Sequence, residues 1–122
     1  EEDHESAKRL NDAYRERHDG GVPSDYGAYG YAGIYGLLEG AKQAGSTDAD
    51  GVIAAMETMR YDAYKGEQNF RKCDHQAVQS VLVIQSKPEA EIESEYDLFN
   101  VVHTDNGGEE MLRSGEELGH ET

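Results

Sequence analysis

Residues 25–44 read DYGAYGYAGIYGLLEGAKQA. Within this stretch Tyr31, Ile34, Tyr35, Leu38 and Ala41 recur at intervals of three and four, which aligns them along one face of a single α-helix. That face is expected to be largely buried. Gly27, Gly30, Gly33, Gly36 and Gly40 interrupt the same helix, each at a cost of about 1 kcal/mol relative to Ala. Close approach offsets such a cost, because glycines three or four apart leave a strip without side chains on which another backbone or a ligand can rest. Ser24 is placed to cap the helix at its start and Gly45 to end it.

Outward from this helix, residues 46–50 (STDAD) supply cap candidates and first-turn carboxylates for a third helix. Val52, Ile53, Met56 and Met59 give it one apolar face, ending near Arg60. Residues 61–70 read as a turn around Lys65-Gly66 leading into a short extended piece. From 77 to 85 the run containing Val78, Val81, Leu82, Val83 and Ile84 is β-branched and apolar on both faces, the pattern of a strand covered on both sides. Pro88 closes it. On the N-terminal side, Ala7, Leu10, Ala13 and Tyr14 form a narrow stripe on a charged helix over residues 3–17, stopped by the Asp19-Gly20-Gly21-Val22-Pro23 break. Phe99 to His103 is a weaker strand candidate, and the acidic tail beyond it is expected to be a solvated extension with little fixed structure.

The order helix, helix, helix, short strand, strand, candidate strand leaves a buried-type strand with too few partners. Both that strand and the Gly/Tyr helix would lack much of their cover, so the pattern reads as an incomplete domain. At 122 residues the chain has room for one modest core.

A formal charge of −15, from 26 acidic and 11 basic side chains, argues against a nucleic-acid partner, whose affinity comes mainly from Lys and Arg displacing counterions. An anionic membrane surface is disfavoured likewise. The acid excess suits a soluble monomer or, alternatively, a high-salt milieu that screens it. Cys73 is the single cysteine, so no intrachain disulfide forms and the redox compartment is not indicated. No run reaches the roughly 20 apolar residues of a membrane span, and no basic-then-apolar leader opens the chain. A processed or truncated exported chain has the same appearance.

Four local patterns occur in one order: Pro23-Ser24 before the aromatic helix, then residues 42–48 (KQAGSTD), then Tyr64-Lys65-Gly66, then residues 71–76 (RKCDHQ). Over about residues 12–84 the set resembles the C-terminal part of a type I periplasmic solute-binding protein, the ligand-capturing subunit of an ABC importer. The Asp74-His75-Gln76 triplet is similar to the branched-chain amino acid and amide branch, the leucine-binding-protein-like family. The resemblance implies an α/β fold in which this chain is a fragment of the second lobe of a bilobed protein, its helices packed on a partial sheet. Residues 1–88 would be the C-terminal portion of that lobe, and residues 89–122 an acidic extension with a candidate edge strand at 98–103. It further implies a periplasmic or membrane-tethered extracytoplasmic protein that captures an amino acid, amide or related small carboxylate by cleft closure. The partners implied are that solute, a membrane permease and the remainder of the same chain, with no cofactor. A ligand sensor of the same fold is the alternative.

Aromatic side chains at a cleft bury an apolar solute while helix N-terminal amides receive its carboxylate. Tyr26 and Tyr29 stand at such an N-terminus, and by resemblance Tyr26 falls where family members place an aromatic against the ligand; the competing role for both is cover for the lobe surface or the glycine strip. Cys73-Asp74-His75 carries zinc-type ligands, but the other histidines, His4, His18, His103 and His120, are scattered through polar segments, which favours a turn role over a metal or nucleophile site. Paired carboxylates such as Glu109-Glu110 and Glu116-Glu117 lie in the polar tail, where acid/base work lacks the required shelter. An enzyme is therefore the least supported class.

Overall fold

The structure is a computed structural model that describes residues 4–120. Helix α1 spans Glu5–Arg17; the expected start at Asp3 lies outside the described residues. Ala7 is buried and Leu10 and Tyr14 are half-buried, as their narrow stripe requires. Ser6 is buried too, because its hydroxyl donates to the Asp62 carboxylate at 2.6 Å and pins α1 to the rest of the chain.

Helix α2 spans Asp25–Ala44. The Ser24 hydroxyl accepts from the Gly27 amide at 3.2 Å, and beyond the other end Ser46 N–H donates to the Ala41 carbonyl at 3.3 Å, satisfying groups a helix terminus leaves open. Helix α3, Ala49–Met56, is capped by the Asp48 carboxylate on the Gly51 amide. Helical bonding trails on to Met59, whose amide donates to the Ala55 carbonyl, before the chain extends at Arg60.

The glycines of α2 divide into two sets. A Cβ on Gly40 would stand 2.5 Å from Met56 Cγ, and one on Gly36 would stand 2.9 Å from the Tyr61 hydroxyl, so here bare backbone admits α3 and the following strand. At Gly30 and Gly33 a Cβ would meet nothing within 4 Å. The burial that the periodicity of α2 predicts is not met within the described residues, in line with the missing cover expected of an incomplete domain. Only Gly36 and Gly40 are buried, while Ile34 and Leu38 remain 61% and 63% exposed. Helix α3 meets α2 at Gly40 and the following strand meets it at Gly36, while the described residues leave Ile34 and Leu38 uncovered.

Residues 60–70 form a hairpin, with β1 (Arg60–Asp62) antiparallel to β2 (Glu67–Phe70) in the register Tyr61↔Gln68. Its turn is closed by the Gly66 amide donating to the Asp62 carboxylate at 3.1 Å. An aromatic ladder, Tyr31 to Tyr35 to Tyr61 to Phe70, with centroids 5.7, 6.3 and 5.9 Å apart, fastens α2 to the hairpin. Strand β3 (Ala77–Val78) pairs with β2 and completes a three-stranded sheet.

The single strand expected over 77–85 is in fact two. Gln79 and Ser80 leave the first sheet, and β4 (Val81–Ser86) pairs instead with β5 (Phe99–Asp105) in a separate antiparallel ribbon with a register shift between Val83 and Ile84. The Ser80 hydroxyl donates to the Lys65 carbonyl at 2.9 Å and fixes the departure. Gly107, at φ +74, lets the returning chain press onto the Gln79 carbonyl, where a Cβ would stand at 2.4 Å. The double-sided cover expected for Val81 to Ile84 is not supplied by the described residues: all four are exposed, as are Val101 and Val102 opposite them. A two-stranded ribbon has no second layer to offer.

The tail touches the rest of the chain at Arg71. Arg71, 7% exposed at its side chain, forms a bidentate pair with Asp74 and donates from Nη1 to the Arg113 carbonyl at 2.7 Å. Gly115 is buried, and Ser114 and Glu117 exchange side-chain and backbone hydrogen bonds across one turn.

Candidate functional site

A groove of about 920 Å³ opens between the helices and the strands. One wall is α1, through Ala7, Leu10 and Asn11, and the start of α2, through Ser24, Asp25, Ala28 and Tyr29. The other is the β1–β2 hairpin, through Arg60, Tyr64, Lys65 and Asn69, and the ribbon, through Val81, Leu82, Ile84 and Val101. The groove exists because Ser80 diverts the chain between the two sheets and Asp62 holds α1 against the hairpin turn.

Of the two tyrosines singled out by sequence, Tyr29 lines this groove. Tyr26, one helical turn earlier, is 81% exposed and is not part of the lining. Lys65 and Tyr64 are the residues that sequence reasoning missed. The Lys65 ammonium lies 5.9 Å from the centroid of the Tyr29 ring and 5.5 Å from that of Tyr64, held between two π-faces. Burial pushes its pKa below the ordinary lysine value. Burial also raises the Tyr64 phenol, with a smaller contribution from the neighbouring Tyr29 hydroxyl. Tyr64-Lys65-Gly66 was legible as a motif, but only folding sets Tyr29 across from it.

Two carboxylates reach the lining, Asp25 and Glu67. Glu67 is engaged by Arg60 at 3.2 Å, whereas Lys65 has no ion-pair partner among the described residues. The arrangement offers an ammonium and two phenols to a bound group, with apolar surface from α1 and the ribbon.

The other candidates resolve as structure. Asp74 accepts from the Gln76 amide at 3.1 Å and from Arg71, which holds its carboxyl well below the usual range. His75 adopts φ +56 in the same turn, its amide donating to the Arg71 carbonyl and its ring Nε2 lying 3.0 Å from Glu57. Among the described residues no group of three or more His, Cys, Asp or Glu is arranged to hold a metal. No helix among them is long and apolar enough to cross a membrane.

A family model for periplasmic binding proteins matches residues 1–91. Among the solved proteins on which the structure superposes are the following three. With an amino acid ABC transporter substrate-binding protein from Pseudomonas fluorescens the TM-score is 0.78 at 21% identity, over 94% of this chain and 30% of that one. With a periplasmic binding protein from Burkholderia mallei it is 0.75 at 24% identity, over 86% and 28%. With an ABC-type branched-chain amino acid transporter from Rhodopseudomonas palustris it is 0.72 at 28% identity, over 86% and 28%. No curated protein matches the chain. The likenesses at 21% and 24% bear on fold alone, and the chain spans less than a third of the length of each solved protein.

Proposed function

The chain belongs to the periplasmic binding protein family, and from that premise we propose that it is the C-terminal part of the substrate-binding subunit of an ABC importer. The reading is carried by the family match over residues 1–91, joined to a groove that opens at the start of a capped helix. The solute class is a branched-chain amino acid, an amide or a related small carboxylate. The remainder of the same polypeptide supplies the facing wall of the cleft and covers Ile34, Leu38 and the β4–β5 ribbon, all exposed here. The protein works outside the cytoplasm and hands its solute to a membrane permease.

Capture by such a protein needs no bond making. Tyr29, at the groove, and Tyr26, 81% exposed at the free end of α2, are proposed as the aromatic surfaces that close on the solute. Closure removes them from water, and burying apolar surface at roughly 25 cal/mol per Å² provides the driving force.

A thermal-shift screen of the intact protein against L-amino acids and their amides tests this. A solute at 100 times its Kd stabilises the folded state by about 2.7 kcal/mol, enough to raise Tm by several degrees. Tyr26→Ala and Tyr29→Ala should each reduce that rise while leaving the unliganded Tm in place. A protein whose Tm responds to none of these solutes does not have this function.

A further inference from the structure

The groove contains a charge whose surroundings are unusual for this chain. With 26 acidic side chains against 11 basic ones, a lysine has ample choice of carboxylate partners: Lys42, Lys72 and Lys87 each have one within 4 Å, and Lys8, with none among the described residues, is exposed to water on α1. Lys65 has none among the described residues, although it is half-buried and loses hydration there. Instead its ammonium sits 5.9 and 5.5 Å from the Tyr29 and Tyr64 ring centroids. Its carbonyl is anchored by the Ser80 hydroxyl at 2.9 Å and the adjoining turn by Asp62, so the backbone that presents it is fixed.

From the position of Lys65 between two tyrosines at the groove wall, we infer that it receives the carboxylate of the solute and sets the preference for a carboxylate over a carboxamide at that end of the ligand. This rests on the solute-binding reading above. A carboxylate presents two oxygens to donors, and an ammonium flanked by two phenol-bearing rings supplies charge together with donors able to meet them. The two rings also displace water around the cation, which strengthens its attraction for an anion.

The experiment uses intact protein and two probes that differ only at the group concerned, L-leucine and L-leucinamide. Calorimetry on the wild type is expected to show L-leucine bound more tightly. Lys65→Met should weaken L-leucine by about 10–100-fold, the range of a charged hydrogen bond, and leave L-leucinamide nearly unchanged. Lys65→Arg should recover part of the loss. Circular dichroism on each variant establishes that it is folded. Equal affinity of wild type for the two probes, or an unchanged L-leucine affinity in Lys65→Met, overturns the role of Lys65 while the solute-binding reading stands. A wild-type protein that binds no amino acid or amide in the screen removes both.

Discussion

Replacing Gly40 by Ala tests the account of why α2 carries so many glycines. The substitution raises helix propensity by about 1 kcal/mol. It also places a methyl 2.5 Å from Met56 Cγ and 3.6 Å from Val52 Cγ1. Non-bonded carbons prefer about 3.5–4.0 Å, so the first contact falls short by on the order of 1 Å. Met56 Cγ is close to its own helix and cannot swing clear as a side-chain tip would; α2 and α3 must part or Met56 must change rotamer. Overpacking of this kind costs about 1–3 kcal/mol, leaving a net loss near 1 kcal/mol. Gly30→Ala is the control, since its Cβ meets nothing within 4 Å and only the propensity gain of about 1 kcal/mol applies. The two variants should therefore differ by about 2 kcal/mol, which at an m-value of about 2 kcal/mol/M separates their urea midpoints by about 1 M. If Gly40→Ala unfolds at or above the midpoint of Gly30→Ala, close approach is not the reason for glycine at position 40.

Two predictions concern pH. The Asp74 carboxyl is held below its ordinary value first by its hydrogen bond from Arg71 and then by the Gln76 amide, so its contribution is fully present above the unfolded value of about 3.9 and is lost as pH falls through the folded one. Asp74→Asn should be less stable at neutral pH and show a shallower decline below about pH 4; an acid limb as steep as the wild type's refutes the pairing. Burial raises the Tyr61 phenol, and burial with Tyr29 raises Tyr64. Their contributions are present below about pH 10 and are lost as pH rises through the folded values, whereas Lys65, lowered by burial, works in the opposite direction. A spectrophotometric titration, which sees only phenols, should contain a late component that shrinks in Tyr61→Phe and again in Tyr64→Phe. Unaltered late absorbance in both variants rules out their burial.

Local features of the fold were readable because local chemistry decides them. The bounds of α2 follow from Ser24 and Gly45, and those of α3 begin at the Asp48 cap. The break in the 77–85 run was hidden, since Gln79 and Ser80 carry no breaker signal; the bond from Ser80 to the Lys65 carbonyl, 15 residues away, makes the break. The exposure of Ile34 and Leu38 on α2 agrees with the expectation that this helix lacks much of its cover here, whereas the pattern of the helix taken alone pointed to burial. Periodicity reports which face of a helix is apolar, not whether its partner lies within the same 122 residues. At the groove, Tyr29 was reachable from its place near a helix start, whereas Lys65 acquires its meaning only when the hairpin turn arrives beside α2.

The partners of the Arg71 guanidinium include Asp74, three residues away, and the Arg113 carbonyl, 42 residues away. On a ribosome these become available at different moments. As the chain emerges, Asp74 can neutralise Arg71 at once, so the charge need not wait unpaired while the next forty residues are made. When the later segment arrives, it finds a donor already oriented by the near partner, and its backbone docks by a single well-aimed hydrogen bond. The short-range pair is thus available to hold the guanidinium in place before the distant backbone can reach it.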